Sequence, residues 1–409
     1  MIRCKCRFWY LQNNRNHKAL SSNTQGFFVR RLHMEGNRDE QYMKQALQLA
    51  QKGEGYVAPN PMVGAVIVKD GRIIGSGYHE HYGGPHAEVN AIADAKEDVA
   101  GATMYVTLEP CSHYGKTPPC ADLLVEKKLA KVVVGSLDPN PLVAGKGIQK
   151  LKEAGIEVVS GVLEAECNEI NRVFRHYITT KQPYVVMKTA MTLDGKIATA
   201  TGESQWISGE ASRKDVHRLR HKYTGIMVGI NTIIHDNARL TCRMEQGKNP
   251  VRIVVDSCLR IALTSNVLKD QENNQTILAT TNQASPLAAR KLETFGSKVL
   301  YCSSKDNRVD LNDLMNQLGA MGVDSILLEG GATLNDAALR AGIVQEVVTY
   351  IAPKMIGGAV APTPVGGIGV EHLQDAYQLG QMKVSAIGDD IKISAYIQPK
   401  TKIQPTEAN

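Results

Sequence analysis

The 409-residue sequence contains no uninterrupted apolar run of the roughly 18 residues that a membrane-spanning helix requires, which excludes a helical transmembrane protein. Aromatic residues make up only 5% of the chain, which disfavours a surface that stacks nucleic-acid bases. Eight cysteines are too few for a disulfide scaffold of this length, so we expect reduced thiols in a cytoplasmic protein. Any close cluster of these cysteines is then a candidate metal site.

Acidic residues are absent from residues 1–33, which are rich in arginine and lysine and account for the net charge of +6. Because the remaining chain is almost neutral, it has no footprint for a polyanion, and we expect neither a nucleic-acid nor a membrane partner. The segment also lacks the apolar core and cleavage site of a secretory signal. We interpret residues 1–37 as a basic leader that is disordered or not native, with Met34 as the working start. An organelle transit peptide is the alternative interpretation.

Strand-like and helix-like segments alternate from residue 39 onward, which indicates α/β sheets covered by helices on both faces. The chain is too long for one ordinary core. Two series of segments meet at Lys181-Gln182-Pro183, where the proline disfavours continuing the preceding amphipathic stretch, Leu163–Tyr177. We therefore predict two domains, at residues 38–181 and 182–398, followed by a tail at 399–409.

The densest cluster of reactive residues consists of His86, Glu88, Cys111 and Cys120, with a proline directly before each cysteine. Zinc takes nitrogen and thiolate ligands tetrahedrally, and a catalytic zinc site keeps one position open for water. We therefore predict His86, Cys111 and Cys120 as metal ligands. Glu88 follows His86 by two residues at a predicted helix start, which suits a catalytic carboxylate that carries protons beside the metal.

This pattern is similar to that of zinc deaminases, which carry H-x-E and P-C-x-x-C motifs, although here eight residues separate the two cysteines. The long insertion, together with the run Asn60-Pro61-Met62-Val63-Gly64, resembles the deaminase domain of the riboflavin biosynthesis enzymes. The resemblance implies a cytidine-deaminase-like three-layer fold and a zinc cofactor. It also implies four substrate-binding residues, which are Asn60 at the pyrimidine edge, Lys116 at a phosphate, His79 and Asn140.

Two other functions fit a zinc-like motif. One is a base deaminase acting on RNA with an appended binding domain, which the neutral body and the low aromatic content disfavour. The other is a structural zinc module on a scaffold. A structural site needs four protein ligands, and the sequence offers no fourth histidine or cysteine at a suitable spacing.

In the second half, Leu327–Leu334 follows the order strand, Gly330-Gly331 pair, helix. Bare glycines before a helix allow backbone amides to approach a phosphate. Neither the G-x-G-x-x-G fingerprint nor a P-loop occurs, so neither a Rossmann nor a P-loop domain is indicated. Asp256-Ser257 after a predicted strand leaves the cofactor type open, since an aspartate suits a free ribose hydroxyl and Ser257 suits a 2′-phosphate.

The order of these segments resembles the pyrimidine reductase of the same bifunctional riboflavin biosynthesis family, and the resemblance covers about residues 38–398. It implies a fold similar to dihydrofolate reductase, NADPH as the cofactor, and a homo-oligomer formed through the reductase domain. The implied substrate is 2,5-diamino-6-ribosylamino-4(3H)-pyrimidinone 5′-phosphate, which is deaminated before its ribosyl group is reduced to ribityl. Lys188 and Glu329 are the implied catalytic residues of the reduction.

The cofactor-binding residues that we predict for this reductase, with Ser257 included for a 2′-phosphate, are Ala190, Trp206, Thr232, Asp236, Ser257, Gly331, Ala332, Thr333, Leu334, Asn335, Asp336 and Ala337. Its implied substrate-binding residues are Ser204, Arg220, Leu240, Arg243 and Glu329. The two arginines suit a phosphate because each guanidinium offers paired hydrogen-bond donors.

Overall fold

The computed structural model describes residues 38–114, 118–140 and 143–398, so the predicted leader at 1–37 and tail at 399–409 lie outside the described residues. Within these ranges, no helix is both long and apolar enough to cross a membrane. The same ranges contain a five-stranded sheet, a nine-stranded sheet and a small two-stranded hairpin.

The five-stranded sheet has the order β2-β1-β3-β4-β5 and is mixed. Strand β1 is antiparallel to β2 and β3, whereas β3, β4 and β5 are parallel. The strands are β1 (Gly64–Lys69), β2 (Arg72–Tyr78), β3 (Thr103–Leu108), β4 (Lys131–Ser136) and β5 (Glu157–Ser160). The accompanying helices are α1 (38–50), α2 (Ala87–Asp94), α3 (Cys120–Glu126), α4 (Lys146–Glu153), α5 (Glu164–Ile170) and α6 (Arg172–Thr180).

Alternate side chains of β1 build two separate cores, one on each face of this sheet. Ala65 and Ile67 pack against α2 and α3, while Val66 and Val68 pack against α1 and Cys167 of α5. Successive strand residues point to opposite faces, so two layers of helices cover the sheet. The predicted three-layer arrangement is therefore observed.

The nine-stranded sheet has the order β10-β9-β8-β7-β13-β6-β14-β16-β15 and is parallel except at β16, which runs antiparallel to both of its neighbours, β14 and β15. Its strands are β6 (Tyr184–Thr192), β7 (Gly225–Gly229), β8 (Val251–Val255), β9 (Thr276–Thr280), β10 (Lys298–Tyr301), β13 (Ser325–Leu328), β14 (Val344–Ala352), β15 (Leu379–Ile387) and β16 (Asp390–Ile397). The hairpin pairs β11 (Ser304–Lys305) with β12 (Arg308–Val309). The helices are α7 (Glu210–Lys222), α8 (Ile230–Asp236), α9 (Pro286–Thr294), α10 (Leu311–Ala320) and α11 (Ala332–Ala341).

Helices also cover both faces of the second sheet. Helices α10 and α11 pack on one face against residues such as Met187 and Leu328, while α8 and α9 pack on the other against Ile226 and Leu278. Helix α7 covers a further patch beneath Val186. Because β6, β7, β8 and β13 are parallel, their carboxyl ends lie along one edge of the sheet, where α/β proteins bind their ligands.

The amphipathic stretch predicted over Leu163–Tyr177 is two helices rather than one. Helices α5 and α6 meet at Asn171, whose φ of −103° and ψ of 16° interrupt the helix. The Asn171 side-chain amide accepts a hydrogen bond from the Met62 backbone N–H (2.8 Å) and donates one to the Met62 carbonyl (2.9 Å). These two hydrogen bonds connect the segment that carries Asn60 to the point where α5 and α6 meet.

Candidate functional site

Three predicted metal ligands converge where α2 and α3 begin. His86 directly precedes α2, and Cys120 is the first residue of α3. The Nδ1 atom of His86 lies 3.2 Å from the Cys120 Sγ atom and 3.5 Å from the Cys111 Sγ atom. All three candidate ligand atoms lie within 4.8 Å of one another. One imidazole nitrogen and two sulfurs form a donor set that fits zinc and leaves a fourth position for water.

Glu88 lies in the first turn of α2 and is almost fully buried, with 4% of its surface exposed. Burial raises the pKa of Glu88 to about 7, although the nearby His86 opposes the shift. Hydrogen bonding from the Cys120 and His86 side chains lowers the pKa of Cys111 despite its burial. The Glu88 carboxyl group lies close enough to Cys111 for the two groups to interact electrostatically.

Asn60 and His79 form a hydrogen-bonded pair beside this cluster. The Nδ1 atom of His79 donates to the Pro85 carbonyl (2.9 Å), so Nε2 of the neutral ring accepts from the Asn60 amide nitrogen (3.2 Å). Burial lowers the pKa of His79, which favours the neutral ring. The amide oxygen of Asn60 keeps its acceptor capacity for a ligand. Lys116 lies outside the described residues.

Sequence reasoning missed Glu109, whose carboxylate organises the segment that carries Asn140. Its two oxygens accept backbone hydrogen bonds from four residues, which are Asp138 (3.4 Å), Gly145 (3.0 Å), Gly147 (3.0 Å) and Ile148 (3.3 Å). Glu109 also precedes Cys111 by two residues, so it ties the metal-binding segment to the start of α4. The signal available in the sequence was a carboxylate beside a metal ligand with no assigned function.

In the second domain, Lys188, Arg220 and Glu329 meet at the carboxyl edge of the parallel strands. Leu328 pairs with Met187, so the next residues, Glu329 and Lys188, are neighbours. The Lys188 Nζ atom lies 3.7 Å from a Glu329 carboxylate oxygen. Arg220 on α7 donates two hydrogen bonds to the same carboxylate, at 2.7 and 3.0 Å.

Charge partners decide the ionisation of this trio. Burial alone raises the pKa of Glu329, but the Arg220 guanidinium and the Lys188 ammonium outweigh it and lower that pKa to about 2. Burial lowers the pKa of Lys188, although Glu329 opposes the shift. Glu329 is therefore ionised at neutral pH, and Lys188 is the member of the trio whose ammonium pKa is lowered.

The predicted phosphate-binding arginines differ in their surroundings. Arg220 donates both of its paired hydrogen bonds to Glu329. The exposed Arg243 has no side-chain partner among the described residues. Leu240, predicted to face the substrate, is only 4% exposed and packs in the core, so its side chain is not available to a ligand. Ser204 is half-buried in the turn that precedes α7.

The predicted cofactor residues lie along the same edge, but not all expose their side chains. Trp206 is 60% exposed, with the Arg213 guanidinium 4.7 Å from its ring centroid, so it is not a core residue. Thr232 and Asp236 lie on α8 and Ala190 on β6. The Ser257 hydroxyl oxygen accepts a hydrogen bond from the Val309 backbone N–H (3.1 Å), so the hydroxyl proton can still be donated to a ligand. The neighbouring Asp256 is fully buried and is therefore unavailable to a ribose hydroxyl.

Helix α11 begins with Gly331 as its N-cap, and no side chain caps it, so the first backbone N–H groups are available for an anionic group. Leu334 and Asn335 are buried, and the Asn335 amide donates to the Pro364 carbonyl (2.8 Å). A Cβ atom at Gly330 would lie 2.6 Å from the Asn335 Oδ1 atom. Gly330 thus meets a packing requirement, whereas a Cβ atom at Gly331 would meet nothing within 4 Å, so the helix start is accessible.

Both halves of the chain match described families. Residues 36–136 match the family "Cytidine and deoxycytidylate deaminase zinc-binding region", and residues 183–393 match "RibD C-terminal domain". The chain is 51% identical over 356 residues to "Riboflavin biosynthesis protein RibD" of Actinobacillus pleuropneumoniae, covering 86% of this chain and 94% of that protein. It is 43% identical to the protein of the same name from Aquifex aeolicus, covering 87% and 97%.

Solved structures show the same likeness in three dimensions. The structure "Acinetobacter baumannii RibD, form 1" superposes with a TM-score of 0.80 at 37% identity, and covers 89% of this chain and 100% of its own. A diaminohydroxyphosphoribosylaminopyrimidine deaminase/5-amino-6-(5-phosphoribosylamino)uracil reductase from Thermotoga maritima gives 0.78 at 36% identity, with the same coverage.

Proposed function

The chain belongs to the RibD family of riboflavin biosynthesis proteins, and from this premise we propose how its residues divide two reactions between residues 38–181 and 182–398. It is a bifunctional enzyme, a zinc-dependent deaminase followed by an NADPH-dependent reductase. The predicted fold class, a cytidine-deaminase-like domain followed by an α/β reductase domain, is confirmed. The predicted domain boundaries and site residues form the proposal.

In the first domain, His86, Cys111 and Cys120 hold zinc, which when bound supplies a Lewis acid that acidifies a water molecule. Glu88 takes a proton from the attacking water and delivers it to the leaving amine, which departs as ammonia. Asn60, held by His79, binds the edge of the pyrimidine ring. The observation that carries this proposal is the convergence of the three ligand atoms beside the buried Glu88.

In the second domain, NADPH would, when bound, supply the hydride that reduces C1 of the opened ribose. Lys188 donates the accompanying proton to the imine nitrogen, because Glu329 holds no proton at neutral pH. Glu329 accepts a hydrogen bond from a sugar hydroxyl and orients Lys188. Arg243 binds the substrate phosphate, and the uncapped start of α11, with Trp206 and Ser257, binds the cofactor.

The two reactions can be separated by single substitutions. We expect Glu88→Ala to abolish ammonia release while NADPH oxidation on the deaminated intermediate survives, because the substitution removes only the proton carrier of the first site. Lys188→Met is the matched variant and should give the reverse result. Both activities are measured on the purified full-length variants, by an ammonia assay and by NADPH absorbance. Loss of both activities in either folded variant refutes this division of residues.

We also propose a homo-oligomer formed through the reductase domain. Strand β15 lies at the edge of the second sheet and exposes apolar side chains, with Leu379 50%, Met382 64% and Val384 59% exposed. An exposed apolar edge strand is a template for pairing with another chain.

Six cysteines among the described residues are free, which supports a cytoplasmic location. A small phosphorylated pyrimidine, rather than nucleic acid or a membrane, remains the proposed partner.

A further inference from the structure

Residues 240–243 form a short segment between α8 and β8 that carries Arg243, the arginine available for a substrate phosphate. The segment starts at Leu240, whose φ of +57° lies in the left-handed region. A non-glycine residue adopts this conformation at a cost, so the surrounding structure must hold it. The position of Arg243 therefore depends on what fastens this segment.

Helix α7 fastens the segment at three consecutive residues. Arg220 donates from Nη1 to the Thr241 carbonyl (3.1 Å), and the Cys242 thiol donates to the His217 carbonyl (3.4 Å). The backbone N–H of Arg243 donates to the Nδ1 atom of His217 (3.2 Å). Among the described residues, His217 is the one whose side chain bonds directly to the backbone of Arg243.

His217 can accept this hydrogen bond only as a neutral imidazole, because both ring nitrogens of the charged form are donors. Three charged groups surround it: Arg220 on the same helix, Arg243 on the segment and Glu329 after β13. Burial, followed by the two arginines, lowers the pKa of His217 to about 4 against the opposing effect of Glu329. The ring is therefore neutral at physiological pH.

We propose that His217 is a positioning residue of the reductase, whose Nδ1 atom fixes the Arg243 backbone so that the guanidinium meets the substrate phosphate. The inference rests on the proposed reductase function. Arg220 cannot replace Arg243 in this role without leaving Glu329. The loss of one backbone anchor thus weakens phosphate binding while Lys188 and Glu329 remain in place.

His221, one turn later on α7, provides a matched comparison. Its Nδ1 atom also accepts a backbone hydrogen bond, from Lys248 (3.0 Å), but its Nε2 atom contacts the Glu54 carbonyl of the first domain (3.2 Å). It therefore fastens chain segments without holding a predicted substrate ligand. A substitution here disturbs the same helix and the same loop, but not the backbone of Arg243.

The experiment compares His217→Asn, His217→Gln and His221→Gln in the full-length protein. The Asn amide oxygen places an acceptor near the position of Nδ1, whereas the longer Gln side chain does not. We expect His217→Gln to raise the reductase KM for the pyrimidine substrate about tenfold, the effect of about 1.4 kcal/mol, with kcat and the KM for NADPH unchanged. His217→Asn should recover most of the loss, and His221→Gln should leave this KM at the wild-type value. Deaminase activity should be unchanged throughout.

Calorimetric titration of the same proteins with ribose 5-phosphate tests the anchor without turnover. The wild type and His217→Asn should bind it about tenfold more tightly than His217→Gln. Equal affinities in all variants, or equal losses for His217→Asn and His217→Gln, overturn the inference. A parallel fall in kcat, NADPH affinity and thermal stability would also contradict it, since that pattern marks a general structural role. A wild type that binds the sugar phosphate but oxidises no NADPH refutes the proposed function and leaves this comparison valid.

Discussion

Glu329 shows how one residue's partners determine its chemistry. Its side chain is 12% exposed and lies between a bidentate arginine and a lysine. A buried carboxylate without such partners would be neutral at pH 7 and could donate a proton. Here the two cations keep it ionised, which leaves Lys188 as the proton donor in the proposed reduction.

The depressed pKa of Glu329 has a consequence for acid stability. A carboxyl group with a pKa of 4.5 in the unfolded chain and about 2 in the folded chain stabilises the fold fully above pH 4.5, and this contribution is lost as the pH falls toward 2. Between pH 5 and pH 3 the loss is on the order of 2 kcal/mol. We therefore expect the free energy of unfolding, measured by urea denaturation, to fall less steeply in Glu329→Gln than in the wild type. Equal slopes of unfolding free energy against pH in the two proteins would contradict the low pKa of Glu329.

The two predicted phosphate arginines mark the limit of sequence reasoning at this scale. Arg220 and Arg243 both suit a phosphate by residue type. The sequence does not reveal that Arg220 is paired, because its partner Glu329 is 109 positions away. By contrast, His86, Cys111 and Cys120 were predictable as a set, since metal chemistry restricts the residue types, and His86 and Cys120 lie at helix starts.

At the scale of elements, α7 joins the two domains as well as serving the reductase. The Glu54 carboxylate of the first domain forms ion pairs with Arg218 and Lys222 on this helix, with N···O distances of 3.1 and 2.5 Å. The Lys222 side chain is only 17% exposed, so its charge depends on this partner. One face of the helix thus contacts the deaminase domain, while Arg220 and His217 contact the reductase site.

Removing the acidic partner tests this connection. Glu54→Ala leaves Lys222 largely buried and unpaired, and we expect it to lower the free energy of unfolding by about 2 kcal/mol. Glu210→Ala on the same helix is the control, because its pair with Lys214 is 71% and 76% exposed and its loss should leave the free energy of unfolding almost unchanged. Urea denaturation followed by circular dichroism measures both. Similarly small changes in the free energy of unfolding of both variants would show that the domains do not depend on this contact.

A strong apolar pattern makes strands such as β1, β6 and β13 predictable from the sequence. Helix α4 has no such pattern, because most of its residues are lysine, glutamate, glutamine and glycine, and its burial is limited to Gly147 and Leu151. The break between α5 and α6, within the stretch predicted over Leu163–Tyr177, is not predictable either. It depends on the contact between Asn171 and Met62, which local periodicity does not encode.

At the scale of the whole molecule, the exposed edge at β15 tests the proposed assembly. We expect Val384→Lys to shift the protein toward the monomer, because a charge on an apolar edge strand opposes pairing with a second copy. Leu287→Lys on α9 is the control, since Leu287 is 63% exposed but far along the sheet order from β15. Size-exclusion chromatography with light scattering measures the mass. A monomeric wild type would rule out the proposal.

Trp206 gives the molecule a built-in optical reporter. The chain has two tryptophans, and Trp206 is the one within the described residues, partly exposed at the proposed cofactor edge beneath the Arg213 guanidinium. The reduced nicotinamide ring absorbs light in the wavelength range in which indole emits. Energy transfer from the Trp206 indole to a bound reduced dinucleotide would therefore quench the tryptophan emission. Cofactor occupancy is then readable from fluorescence without any label.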